Sequence, residues 1–164
     1  VGHLGLSPEA ACVAMRTFKG LPHRQQELGA RNGILYVDDS ISTTPQSATA
    51  AMAVYHPRPM TLIAGGFDRG VDLRPLVDDL CDRKGDVAVV CLGASGARLF
   101  HDLRTRGLSA VFLAADMTEA VALARANTPV GGVILLSPAA PSFGLFRDYM
   151  ARGAAFAQAA GFSP

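Results

Sequence analysis

Unbroken apolar runs of strand length constrain this chain more than any other feature. Val87-Ala88-Val89-Val90 and Val133-Ile134-Leu135-Leu136 show no polar alternation. Such runs suit strands buried on both faces rather than one. A sheet hidden on both sides needs helices above and below it, and helix-patterned stretches do alternate with the apolar runs. Thr44 reads as the N-cap and Pro45 as the first helical residue of an alanine-rich helix over 45–55. Strands are predicted over 34–37, 60–64, 87–92, 110–113 and 133–136. Further helices are predicted over 73–83, 96–106 with Ser95 as cap, and 118–126, and a closing helix begins near Ser142. Arg31-Asn32-Gly33 is a hairpin signal, so residues 25–30 should add one antiparallel edge strand. The expected fold is α/β, a doubly wound, mostly parallel Rossmann-like sheet with right-handed crossovers and an N-terminal antiparallel hairpin.

The chain has 164 residues and no internal linker or repeat, so 1–164 reads as one domain. Hydrophobic residues make up 49%, which excludes disorder. A net charge of +1, from 15 basic and 14 acidic residues, argues against a nucleic-acid or anionic-membrane binder. Cys12, Cys81 and Cys91 lack CxxC spacing, so reduced thiols in a cytoplasmic protein are expected rather than disulfides or a zinc knuckle. No apolar run is long enough to span a membrane. The chain opens on Val1 close to a helix over 8–18, with Ala11, Met15 and Phe18 at helical spacing, and reads as a piece of something longer.

Ligands of open parallel sheets bind beyond the carboxyl ends of the strands. The loops there carry Asp39 to Pro45, Gly65-Gly66-Phe67-Asp68-Arg69-Gly70 and Ser137 to Gly144. Two hydroxyl-bearing helix starts and an arginine on a glycine-rich turn suit an anion; ordinary caps and tight turns explain the same residues. Other motifs fail. Val37-Asp38-Asp39 resembles a phosphoacceptor's acidic pair, but the only lysines are Lys19 and Lys84. Gly93-Ala94-Ser95-Gly96 breaks the nucleophile-elbow spacing at Ala97, and no P-loop is present. His3, His23, His56 and His101 are scattered without metal-ligand spacing, so no metal site is expected.

Phe18-Lys19-Gly20-Leu21-Pro22-His23-Arg24, Asp39-Ser40-Ile41-Ser42-Thr43-Thr44-Pro45, the Leu62 to Gly70 segment, Leu136 to Phe143 and Phe146-Arg147-Asp148-Tyr149 with Arg152-Gly153 occur in that order. Together they resemble the C-terminal domain of the Mur ligases, closest to the glutamate-adding branch. The resemblance covers nearly the whole chain and leaves out that family's UDP-binding first domain and its central ATPase domain. It implies a part of an ATP-dependent, magnesium-assisted ligase of peptidoglycan precursor synthesis. In that reaction the carboxylate of UDP-N-acetylmuramoyl-L-alanine becomes an acyl phosphate, which the amine of glutamate attacks. It further implies that the chain works with its own N-terminal and central domains, and that ATP and Mg are held mainly by the central one. Arg24 and Asp39 would contact the nucleotide. Thr43, Arg69, Ser142, Phe143 and Tyr149 would hold glutamate, and no catalytic residue would lie in this domain. Three departures from the family pattern stand out: Ile41 and Arg69 each replace a lysine, and Tyr149 replaces a phenylalanine. They look like a subgroup adding L-glutamate; an ordinary D-glutamate enzyme with drift remains the alternative. From a different class, a free-standing, non-catalytic α/β ligand-binding or receiver-like regulatory module fits the residue pattern as well.

Overall fold

In the computed structural model, residues 5, 7–17 and 20–163 are described. His3, Phe18 and Lys19 lie outside them. Twelve elements follow in chain order: α1 (Pro8–Thr17), β1 (Gln26–Arg31), β2 (Ile34–Asp38), α2 (Pro45–Tyr55), β3 (Met60–Gly65), α3 (Arg74–Asp82), β4 (Val87–Leu92), α4 (Gly93–Thr105), β5 (Val111–Ala114), α5 (Met117–Asn127), β6 (Val133–Leu136) and α6 (Tyr149–Ala160).

One six-stranded sheet runs β1-β2-β6-β3-β4-β5. β1 pairs antiparallel with β2, and every other pairing is parallel, as the sequence predicts. Asn32 and Gly33, at φ of 51° and 76°, make the two-residue turn of the hairpin. The edge is blunted by a register shift between Glu27 and Gly29 and by exposed Gln26, Glu27 and Arg31.

The apolar runs divide their side chains between two cores. Leu62, Val89, Val133 and Leu135 face α2, α3 and α4, where Met52, Leu76, Leu80, Leu99 and Leu103 meet them. Ile63, Val90, Ile134 and Leu136 face α5 and α6, against Val121, Ala124 and Phe156. Each side chain of this size taken out of water contributes on the order of 2 kcal/mol. α2 begins as the sequence requires: the Thr44 hydroxyl accepts from the Ser47 N–H at 3.3 Å, Ser47 answers the Thr44 N–H, and Pro45 follows.

The structure departs from the sequence reading at two helix starts. α4 begins at Gly93, not Gly96, so Ser95 lies within its first turn and caps nothing. Its N–H and Oγ–H instead donate to the Gly66 carbonyl, at 3.1 and 3.3 Å. The closing helix begins at Tyr149, with Asp148 accepting from the Ala151 N–H at 2.8 Å, not near Ser142. Ser142 opens only an isolated turn, closed by the Phe146 N–H on its carbonyl. Two prolines and Ala139 at a φ of 57° keep the stretch before it irregular. Val13 and Met15 on α1 are exposed. In the strand order, on which the sequence is silent, β6 inserts between β2 and β3.

That insertion creates the site. After β6 the chain leaves for the α5–α6 face, whereas after β2 and β3 it leaves for the α2–α4 face. Loops that part in opposite directions open a crevice at the carboxyl ends of the three strands.

Candidate functional site

A buried polar network spans the crevice. Asp39 is 2% exposed; its carboxylate accepts from the Gln25 N–H at 3.1 Å and from the Ser137 Oγ–H at 2.7 Å, tying the loop after β2 to the loop after β6. Asp38 accepts from the Ser40 N–H at 2.9 Å, and its other oxygen lies 2.7 Å from His23 Nδ1. The His23 ring in turn meets the Tyr149 ring edge-on at 5.8 Å.

Arg152, on the first turn of α6, is 1% exposed and completes the network. Its guanidinium donates to the Ser40 hydroxyl at 3.0 Å, the Ser40 carbonyl at 2.7 Å and the Ala140 carbonyl at 2.9 Å. The Ser40 hydroxyl donates its own proton to the Tyr149 carbonyl at 2.7 Å. Burial pushes the Arg152 pKa down to about 10, with nearby Asp38 pulling the other way. It therefore remains a cation at neutral pH. Neither this arginine nor the His23–Asp38 pair has a role legible from sequence. The only signal is their presence in the Pro22-His23-Arg24 and Arg152-Gly153 motifs, which carry no reason for burial.

α6 approaches that closely because residue 153 has no side chain. A Cβ at Gly153 would run into the His23 ring and the Asp38 carboxylate. In an ordinary helix Gly→Ala stabilises by about 1 kcal/mol. Here the sign should reverse: Gly153→Ala is expected to cost ~1–3 kcal/mol through overpacking, read as a lowered midpoint in thermal unfolding. A raised midpoint would show that α6 can slide outward freely.

The predicted site residues fall into two groups. Arg24, Asp39 and Thr43 line one open cleft of about 370 Å³, together with Ile41, Ser42 and Ser47. Arg24 is exposed, and no carboxylate among the described residues pairs with it. Asp39 serves as a wall, with one lone-pair site left on each oxygen. Arg69, on the loop after β3, lines a neighbouring hollow and touches this cleft at its edge, donating to the Thr43 carbonyl at 3.0 Å.

Ser142, Phe143 and Tyr149 lie beyond it. The Phe143 ring, 61% exposed, stands edge-on to Phe67 at 6.4 Å, and the Phe67 N–H donates to the Pro141 carbonyl at 2.9 Å. The loops after β3 and β6 are thus zipped together. Ser142 is 5% exposed and not at a helix start, so the expected helical N–H groups beside it are absent. Tyr149 instead starts α6 and packs on His23. The structure joins Arg69 to Thr43 and Phe143 to Phe67, but Ser142 and Tyr149 line neither this cleft nor the hollow beneath Arg69.

An exposed guanidinium, a carboxylate and four hydroxyl side chains, of which Thr44 and Ser47 are engaged in the α2 cap, surround one cleft and suit a phosphate or a sugar edge. Among the described residues no group of three His, Cys, Asp or Glu is disposed to hold a metal ion. No helix of the described residues is long and apolar enough to cross a membrane.

Residues 23–140 match the family described as the Mur ligase, glutamate ligase domain. The chain belongs to this family. Its similarity to a UDP-N-acetylmuramoyl-L-alanine--L-glutamate ligase of Xanthomonas euvesicatoria pv. vesicatoria is 45% identity over 98% of this chain and 35% of the relative. A ligase of the same name from Salinispora tropica is 43% identical over 92% of this chain and 33% of its own length. The chain thus spans about a third of these relatives. The fold also matches a MurF ligase from Thermotoga maritima in complex with ADP, at a TM-score of 0.63 and 15% identity, over 96% of this chain and 34% of that one. A Mycobacterium tuberculosis folylpolyglutamate synthase matches at 0.62 and 16%, over 99% of this chain and 37% of its own.

Proposed function

We propose that this domain is the glutamate-binding part of a longer, cytoplasmic, ATP-dependent ligase that joins L-glutamate to UDP-N-acetylmuramoyl-L-alanine. UDP-binding and ATPase domains of the same protein would supply the rest. The observation that carries the reading is the Arg69–Thr43 contact, which sets a fixed cation on the rim of the cleft that also exposes Arg24. Glutamate brings two carboxylates, and a planar fork beside hydroxyl and backbone donors answers one of them. Arg24 would pair with a phosphate of the nucleotide, and Ser42 and Thr43 would offer hydroxyls along the same wall. ATP supplies the phosphoryl group that activates the muramoyl-alanine carboxylate. This domain would orient the glutamate amine, which as the neutral amine attacks the acyl carbon, displaces inorganic phosphate and releases a proton as the amide forms; orientation of that kind lowers the barrier.

The names of the relatives and the three departures at Ile41, Arg69 and Tyr149 favour L- over D-glutamate. The test is ligation by the full-length protein with each enantiomer. The expected result is ATP-dependent consumption of L-glutamate, with D-glutamate used far more slowly; preference for D-glutamate would refute the stereochemical assignment. No turnover with either, together with no ATP hydrolysis, would favour the non-catalytic binding module.

Arg24→Ala in the full-length enzyme should raise the KM for ATP by the equivalent of ~1.5–3 kcal/mol, the range for a charged hydrogen bond. Arg24→Lys should recover part of it, because the fork is lost and the charge kept. An unchanged ATP dependence in both would remove Arg24 from the nucleotide site.

A further inference from the structure

The glycine-rich turn that presents Arg69 is tied to the loop after β6 through the Phe67 N–H on the Pro141 carbonyl, and to α4 on its other side. Ser95 and Arg98, three residues apart on α4 and so on one face of it, grip the turn at three points. Ser95 donates twice to the Gly66 carbonyl, at 3.1 and 3.3 Å. Arg98 holds the Asp68 carboxylate with two parallel hydrogen bonds, Nε at 3.0 Å and a terminal nitrogen at 2.9 Å. The same terminal nitrogen donates to the Val71 carbonyl at 2.8 Å. Asp68 also accepts from the Gly70 N–H at 2.8 Å, which folds the backbone around Arg69. These bonds hold its carboxyl below the usual carboxylate range, the Gly70 contribution first and Arg98 second. Residues 66, 68, 70 and 71 are therefore pinned. Between the pinned residues Arg69 stays exposed, its guanidinium donating to the Thr43 carbonyl.

We infer that Arg98 is a positioning residue for the amino-acid substrate: through Asp68 and Val71 it sets the place and direction from which the Arg69 guanidinium meets a substrate carboxylate. The inference rests on reading the Arg69 loop as the amino-acid-binding loop. Arg98 itself touches no substrate. Its α4 backbone is a rigid support, and the two-point fork makes the support directional in a way a lysine cannot match.

The experiment is a double-mutant cycle in the full-length ligase, with Arg69→Ala, Arg98→Ala, both together, and Arg98→Lys and Asp68→Asn as gentler variants. Arg98→Ala is expected to raise the glutamate KM about tenfold, the scale of one charge-assisted contact, with kcat and the KM for ATP within about twofold. Arg98→Lys should recover part of this, and Asp68→Asn should reproduce it in kind. The double variant should be no worse than Arg69→Ala, because a support with nothing to support has no further effect. Additive losses in the double variant would overturn the inference, as would equal losses for glutamate and ATP. A raised glutamate KM in Arg69→Ala with none in Arg98→Ala or Asp68→Asn overturns the positioning role and leaves the site standing. No change in any of the variants, Arg69→Ala included, overturns both the inference and the assignment of the loop. Should Arg98→Ala fail to fold, Asp68→Asn and Arg98→Lys carry the same comparison.

Discussion

Arg152→Ala is expected to destabilise the domain by about 3–5 kcal/mol, the range for breaking up a buried, hydrogen-bonded charge. Total folding stabilities are only about 5–15 kcal/mol, so this variant should sit near the threshold of folding at 37 °C. The loss has two sources. Truncation opens a cavity where a side chain 1% exposed had been. It also leaves the carbonyls of Ser40 and Ala140 buried without the donors that satisfied them. The charge itself is not the stabilising element. With a folded pKa of about 10, below the ordinary guanidinium range, the unfolded chain binds the proton more tightly. Stability from this group therefore rises as pH climbs above about 10, and at neutral pH ionisation of the buried group counts against folding. Arg152→Lys keeps the charge but has no planar fork to reach the oxygens on both loops, and should recover less than half of the loss. Urea denaturation of the 164-residue chain measures this as a lower midpoint with an unchanged slope. A loss under ~1 kcal/mol would mean that the loops after β2 and β6 hold together without Arg152.

Arg69→Ala is expected to act in the opposite manner, sparing the fold and damaging substrate use. The side chain is exposed and gives up only one hydrogen bond, to the Thr43 carbonyl, so the melting temperature should barely move. The KM for glutamate should rise by the equivalent of ~1.5–3 kcal/mol, roughly ten- to a hundredfold, with the KM for ATP nearly constant. Steady-state kinetics of the full-length ligase decide it. A parallel rise in both constants would indicate damage to the whole crevice rather than to a carboxylate contact. Arg69→Lys combined with Ile41→Lys restores the two ammonium groups usual in the family, and Ile41 lines the same cleft as Thr43. If these departures set stereochemistry, that pair should shift the ratio of L- to D-glutamate use. An unmoved ratio would free the stereochemical choice from residues 41 and 69.

The strands β2, β3, β4 and β6 are legible in the sequence because burial on both faces demands continuous apolar runs, a local and unambiguous pattern. The start of α2 is legible for the same kind of reason, since Thr44 and Pro45 each satisfy a requirement of the first turn within a few residues. Arg69 stands out as a charged residue on a loop beyond a strand end, where the fold class already directs attention, whereas Arg24, ahead of β1, is singled out only by the resemblance to the family. The start of α6 does not. Ser142 and Asp148 are both competent caps, and the choice fell to Asp148, the start that places Arg152 within reach of Ser40, 112 positions away, and of Ala140. The slot of β6 between β2 and β3 was likewise decided in three dimensions, because strand order depends on which faces the crossover helices cover. Arg98 gripping Asp68 across 30 positions, and His23 against Asp38 beside Gly153, have no periodic trace either. Local composition determined which segments are strands and helices and which loops carry charge. Only tertiary packing decided which of those charges are buried, paired and aimed, because a hydrogen-bond partner is selected by proximity in space, not by distance along the chain.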